Sequence, residues 1–198
     1  MTLILASQSA GRLAMLQSAG VDVEAVASAV DEDSIKLAMI AAGAKPRDIA
    51  DALAEAKAIK VSRKFPEKLV IGCDQILVTG EGVFLRKPRD ANDAKAQLAL
   101  LSGNTHRLVS AAVICEGGKP VWRIVDTAQM TMRELGDEFI TQYVEAYWEY
   151  IRHSVGCYRI EAEGAQLFSS VSGSQFTIIG LPLLPVLDYL RVRGLLPT

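Results

Sequence analysis

Leu69–Thr79 reads LVIGCDQILVT, and this stretch decides the fold. Leu69, Val70 and Ile71 lead into Gly72, Cys73, Asp74 and Gln75, and Ile76, Leu77 and Val78 resume the apolar run. A continuous aliphatic and β-branched run of this length predicts a buried central strand rather than an alternating edge strand. A carboxylate nevertheless stands in its middle. An ionised Asp among aliphatic neighbours is costly unless a cation, a metal or hydrogen bonds compensate it. Gly72 has no Cβ, so the backbone can bend there or another group can come close just before the acid. Two readings of Asp74 stand side by side. In one it caps a turn between two short strands; in the other it binds metal or activates water at the lip of a sheet.

Working outward, 198 residues suit one domain spanning 1–198, or two tightly fused lobes, with enough chain to bury a core. Half the residues are hydrophobic and no long like-charge run appears, which excludes a disordered chain. A net charge of -2 leaves no electrostatic footprint for nucleic acid or an anionic membrane. No apolar run approaches the roughly 18 residues of a membrane span. The opening MTLILASQSA lacks the basic start and long apolar centre of an export signal, so a cytoplasmic location is expected. Cys73, Cys115 and Cys157 are odd in number and lack CxxC spacing, which fits a reducing compartment and argues against a zinc site.

On the N-terminal side, Thr2–Ala6 predicts a first strand. Ser7–Ser9 turns it into a helix that carries Arg12, Leu13 and Leu16 and stops at Gly20. A strand entering a helix N-terminus presents free N–H groups and a positive dipole end, which suits phosphate. Ser7 and Ser9 add hydroxyls, and Arg12 adds a planar cationic fork. Ser9 is equally a plain N-cap. No GxxxxGK[ST] is present, so this is not a P-loop. Asp31, Glu32 and Asp33 predict a helix start, where acids complement the dipole, and Glu32 is also a candidate metal ligand. Arg47–Phe65 predicts an amphipathic helix with Ile49, Ala52, Leu53, Ala56 and Ile59 on its buried stripe. Lys57 lies at the border of that stripe, a solvated lysine or one that snorkels toward a cleft.

On the C-terminal side, Gly80–Gly82 predicts a turn into Val83–Leu85, followed by Arg86, Lys87 and Pro88. Asp90 opens a helix with Ala91, Ala94, Leu98 and Leu101 on one face. His106 to Cys115 and Pro120 to Met132 predict an antiparallel hairpin, with His106 a strand-start residue rather than a base. Asp137 to Tyr150 predicts a helix whose Phe139, Ile140, Tyr143, Tyr147 and Trp148 serve core or subunit contact. Pro182 fits the first turn of a last helix with Leu183, Leu184, Leu187 and Leu190 buried.

Taken in order, LILASQSAGRLAML, VDE, LAEAKA, GCDQ, RKP, SGNTH, EGAQLF and GLPL resemble the Maf family of nucleoside triphosphate pyrophosphatases across nearly the whole chain. The resemblance implies an α/β, Maf/ITPase-like fold: a long mixed central sheet flanked by helices, in two lobes around a cleft. It also implies a homodimer that cleaves a nucleoside triphosphate to a monophosphate and pyrophosphate with a divalent metal, Mg²⁺ or Mn²⁺. The family motif ASxSPRR is matched at Ala6, Ser7, Ser9 and Arg12, which makes Ser7 and Arg12 triphosphate contacts. Ala10 replaces its proline and Gly11 its first arginine, and Gly11 bears on substrate choice. Glu32 falls on the metal-associated acid, Lys57 on a phosphate-binding lysine, and Asp74 on the proton acceptor. Lys87 falls on the lysine of GKP, with Arg86 in place of the glycine.

A triphosphate carries about four negative charges, so a chain of net charge -2 needs a local basic cluster and a metal to hold it. Arg12, Lys57 and Lys87 would form the cluster, with Glu32 and Asp74 as oxygen ligands. Gln75 and Glu161 resemble the 7-methyl-GTP branch, whereas members acting on dTTP and UTP usually have Thr and Gln there. A carboxylate at Glu161 can accept from guanine N1–H and N2–H and would meet only carbonyl acceptors on a pyrimidine. Gly11 removes the aromatic residue of that same branch, so a purine or modified guanine substrate is the expectation. The alternatives are a pyrimidine pyrophosphatase, a nucleotide-responsive regulator of septum formation, and a nucleotidyl transferase.

Overall fold

In the computed structural model, which describes residues 2–197, strand β1 (Leu3–Leu5) lies fully buried between two parallel neighbours. These are β2 (Val23–Ala25) and β3 (Val70–Thr79). β4 (Phe84–Leu85) folds back antiparallel on the end of β3, with Leu85 opposite Leu77. β5 (Thr105–Glu116) flanks β3 on its other side, β6 (Lys119–Met132) follows β5, and the short β7 (Phe168–Ser172) closes the order β2-β1-β3-β5-β6-β7. β3 is therefore central and buried along all but one residue, which is why its sequence is nearly all apolar. It is one continuous strand, so Asp74 is not the cap of a turn between two short ones.

Seven helices accompany the sheet among the described residues: α1 (Ala10–Ser18), α2 (Glu32–Ala41), α3 (Pro46–Ser62), α4 (Ala91–Leu101), α5 (Asp137–Ile151), α6 (Gln175–Ile179) and α7 (Leu183–Val192). Three of them start on side-chain caps. Ser9 accepts from the Arg12 N–H, Asp31 from Ser34 and Asp90 from Asp93, each satisfying a backbone donor that the helix leaves open. The Ser34 bonds also hold the Asp31 carboxyl below its ordinary pKa. Pro46 takes the first helical position of α3, where its missing N–H costs nothing.

Helix α3 is phased differently from the expected stripe. Its buried face is Ile49, Ala50, Leu53, Ala54, Lys57, Ala58, Val61 and Ser62, so Ile49 and Leu53 are buried as expected, while Ala52, Ala56 and Ile59 are only half-buried. Small residues win this face because β3 approaches it closely. A Cβ on Gly72 would fall 2.1 Å from the Ala54 carbonyl oxygen and 2.7 Å from the Ala58 nitrogen, so only glycine lets helix and strand meet there. The last helix needs two corrections. Pro182 is its N-cap residue, and Leu184 is 60% exposed while Val186 takes its place beside Leu183, Leu187 and Leu190.

Contacts divide the chain into two units. The first comprises the chain up to Gln75, Val109–Asp126 and the part from Gly180 onward; the second comprises Ile76–Leu108 and Thr127–Ile179. In the first, Ile4, Ala6, Val61 and Val70 form a cluster backed by Val26 and Phe65. In the second, Leu77, Leu98, Met130, Val144 and Ile151 belong to a larger core, with Phe139, Tyr147 and Trp148 packed against it. Of the two expected roles, core or subunit contact, the α5 aromatics therefore serve the core. No helix among the described residues is long and apolar enough to cross a membrane.

Candidate active site

Asp74 is 6% exposed and would be untenable as an isolated charge, so its neighbours define the site. The Lys57 ammonium, 5% exposed, donates to Asp74 Oδ1 at 2.6 Å and pairs with Glu32 Oε2 at 2.8 Å. It also reaches the Cys73 carbonyl at 3.5 Å. Lys57 is thus neither solvated nor at the border of its helix; it is a buried cation shared by two acids. Burial pushes the Asp74 carboxyl above its ordinary pKa, against the opposing pull of Lys57 and then Arg12.

Arg12 completes the cluster from α1. Its Nε donates to the Gly180 carbonyl at 2.8 Å, and Nη1 donates to the Cys73 carbonyl at 3.0 Å and to Ser7 Oγ at 3.4 Å. Gly180 sits at φ 112, and a Cβ there would lie 3.0 Å from the guanidinium. A glycine is required for the arginine to lie where it does. Ser7 is buried at the end of β1 and accepts from the Ser9 N–H at 3.2 Å. Ser9 itself is the plain N-cap. Gly11 lies half-buried in the first turn of α1, beside Arg12.

Glu32 opens α2 with its side chain half-exposed, so it joins the buried pair from the solvent side. The segment that delivers it is pinned separately: Lys60 donates to the carbonyl of Ala29, which itself has φ 49. Gln75, half-buried on β3, donates from Nε2 to Ser110 Oγ on β5 at 3.0 Å. Ser7, Arg12, Glu32, Lys57, Asp74 and Gln75 all belong to the first unit.

Lys87 and Glu161 are carried by the second unit. Lys87 is exposed ahead of a buried Pro88. Glu161 is exposed in the turn at 160–162, and its neighbour Arg159 pairs with Glu163 instead, at 2.8 and 2.9 Å. His106 is a buried strand-start residue whose Nε2 lies 2.7 Å from the Tyr158 hydroxyl, which agrees with its expected structural role.

A model of the Maf-like protein family matches residues 2–193. The chain belongs to the Maf family. This Maf chain is 50% identical over 194 residues to a nucleoside triphosphate pyrophosphatase of Ruegeria sp. (strain TM1040), covering 98% of this chain and 97% of that one. It is 49% identical over 197 residues to a protein of the same name from Sphingopyxis alaskensis, covering 100% of both chains. It is also 46% identical over 189 residues to a 7-methyl-GTP pyrophosphatase of Brucella abortus, covering 96% of this chain and 94% of that one.

Several members of the Maf site were not legible in sequence. The carbonyls of Cys73 and Gly180, which orient Arg12, leave no trace in side-chain identity. Gly180 appeared in the sequence only within the GLPL motif, with nothing to mark its approach to Arg12. Lys60 reads as a solvated lysine one turn beyond Lys57, yet it secures the Glu32 segment.

The donor set bears on a metal. Among the described residues no group of three or more His, Cys, Asp and Glu side chains gathers to cage an ion. Two carboxylates do converge, and the Lys57 ammonium already stands between them as a cation. Two carboxylates completed by water and phosphate oxygens suit Mg²⁺, which seldom uses an all-protein cage.

Proposed function

We propose that this Maf protein hydrolyses a nucleoside triphosphate to the monophosphate and pyrophosphate, with Asp74 as proton acceptor. The observation that carries this is the placement of a buried carboxylate against Lys57 with the Arg12 guanidinium beside it. The names of its relatives at 46–50% identity support the same reaction class. Asp74 takes a proton from a water that attacks the α-phosphorus, the bond from that phosphorus to the bridging oxygen breaks, and pyrophosphate leaves. A base whose pKa burial has raised is better matched to that transfer near neutral pH. Arg12, with its planar fork, and Ser7, at the end of β1, would orient phosphoryl oxygens and stabilise the charge that develops on them. Lys87 would add a further cation.

Glu32 and Asp74 would hold a divalent metal, Mg²⁺ or Mn²⁺. When bound it would neutralise triphosphate charge and polarise a phosphoryl oxygen. For the base, Glu161 would accept from the guanine edge, which favours a guanine or 7-methylguanine nucleotide over a pyrimidine. The relative named as a 7-methyl-GTP pyrophosphatase supports this choice. A homodimer is part of the same reading, and sedimentation checks it. Pyrophosphate release from m7GTP, GTP, dTTP and UTP, with Mg²⁺ or with EDTA, tests the whole. Expected is metal-dependent release with m7GTP or GTP preferred; a metal-independent reaction or a clear pyrimidine preference overturns the corresponding part.

A further inference from the structure

We propose that Lys57 is a resident cation that holds the metal position and is exchanged onto the substrate's phosphates when the metal arrives. This rests on reading Glu32 and Asp74 as the metal ligands. A lysine ammonium has three N–H donors. Here they face Glu32 Oε2 at 2.8 Å, Asp74 Oδ1 at 2.6 Å and the Cys73 carbonyl at 3.5 Å. Every donor is directed at a protein oxygen, so in this arrangement Lys57 has none left for a phosphate. The same arrangement balances the two acids. Two carboxylates held this close repel, and one of them is buried, so a cation must lie between them.

A Mg²⁺ ion binds carboxylate oxygens at about 2.0–2.1 Å. It would claim the oxygens that the ammonium now occupies, and the two cations cannot share the gap. Two carboxylates and one ammonium carry one net negative charge, whereas two carboxylates and one divalent ion are neutral. The exchange therefore favours the metal electrostatically and frees an ammonium on a flexible four-carbon stem. The supports on either side let the exchange stay local. Gly72 locks the α3 backbone to β3, and Lys60 holds the Ala29 carbonyl, so Glu32 and Asp74 stay in place while the Lys57 side chain swings. Metal entry and phosphate capture become a single coupled event.

The test uses Mn²⁺ alone, titrated without nucleotide into the wild-type chain, Lys57→Gln, Asp74→Asn and the double variant, with binding followed by electron paramagnetic resonance. Lys57→Gln is expected to bind Mn²⁺ about tenfold more tightly than wild type, and Asp74→Asn to abolish that gain. In wild-type protein labelled with ¹³C-lysine, Mg²⁺ alone is expected to shift the Lys57 signal, assigned through Lys57→Arg, over the same concentration range. This second measurement decides the matter should Lys57→Gln not fold. Asp74-dependent Mn²⁺ binding of equal strength with and without Lys57, or a Lys57 signal unmoved by bound Mg²⁺, refutes the exchange and leaves the metal reading standing. Mn²⁺ binding that ignores Asp74→Asn, or is absent in every form, removes the metal reading and the exchange with it.

Discussion

A Cβ on Gly72 would lie 2.1 Å from the carbonyl oxygen of Ala54, so the central strand and helix α3 touch backbone to backbone. That contact sets the height of Lys57 on α3 against Asp74, two residues along the strand from Gly72. The Lys57–Asp74 pair is a consequence of how closely the two elements pack.

Gly72→Ala should therefore damage fold and site together. The helix must retreat because the clash is with backbone and no flexible side chain can yield. A stability loss of about 3 kcal/mol is expected in urea denaturation. Turnover should fall in the soluble fraction as well, because Lys57 retreats with α3. A variant of unchanged stability would contradict the packing described.

Asp74→Asn should lower turnover by about two orders of magnitude or more, the range that positioned general bases supply. Equilibrium dialysis with labelled nucleotide in EDTA should show the metal-free binding of wild type retained, because Arg12 is untouched. Pyrophosphate release at the wild-type rate would remove Asp74 from the mechanism.

Gly180→Ala should mimic a partial loss of Arg12. The new methyl lies 3.0 Å from the guanidinium, and φ 112 strains any residue with a Cβ. The expected result is a KM raised about tenfold with a smaller change in kcat, since a ground-state phosphate contact is weakened. An unchanged KM would show that Arg12 does not bind substrate from this position.

His106 should make the protein acid-sensitive. Burial lowers its pKa from 6.5 to about 4, so between those values the unfolded chain takes up a proton that the folded one refuses. Its stability contribution is fully present above pH 6.5 and is lost as pH falls toward 4, on the order of 3 kcal/mol in all. Urea midpoints at pH 7, 5.5 and 4.5 should show a shallower slope in His106→Asn than in wild type. Equal slopes would assign the acid sensitivity to other groups.

Glu161→Gln should shift nucleotide preference from guanine toward pyrimidine by about tenfold or more, because an amide can donate to a pyrimidine carbonyl and a carboxylate cannot. Competition of GTP and UTP in one assay reads the ratio. An unmoved ratio would take Glu161 out of base selection.

The sequence alone determined the longer elements and the residue types of the site, but not the short β2, β7 and α6. The apolar run around Asp74 read as a buried central strand, because an edge would have alternated, and the structure shows it unbroken at Asp74. Ser9, Asp31 and Asp90 marked helix starts because their short oxygens fit the first open N–H groups. The ordered motifs pointed to the family that the matching model then established.

Tertiary structure alone decided which residues of each helix face inward and what the charges do. Period-counting on α3 put Ala52, Ala56 and Ile59 on the buried stripe with Ile49 and Leu53, whereas Ala54 and Ala58 take that face because Gly72 on β3 approaches them. Leu184 reads as core and is exposed because α7 presents Val186 in its stead. The same packing drew Lys57 from a helix border into a buried bridge between Glu32 and Asp74. Burial and pairing depend on what lies across the gap, and the spacing of residues along one chain segment carries no information about that distance.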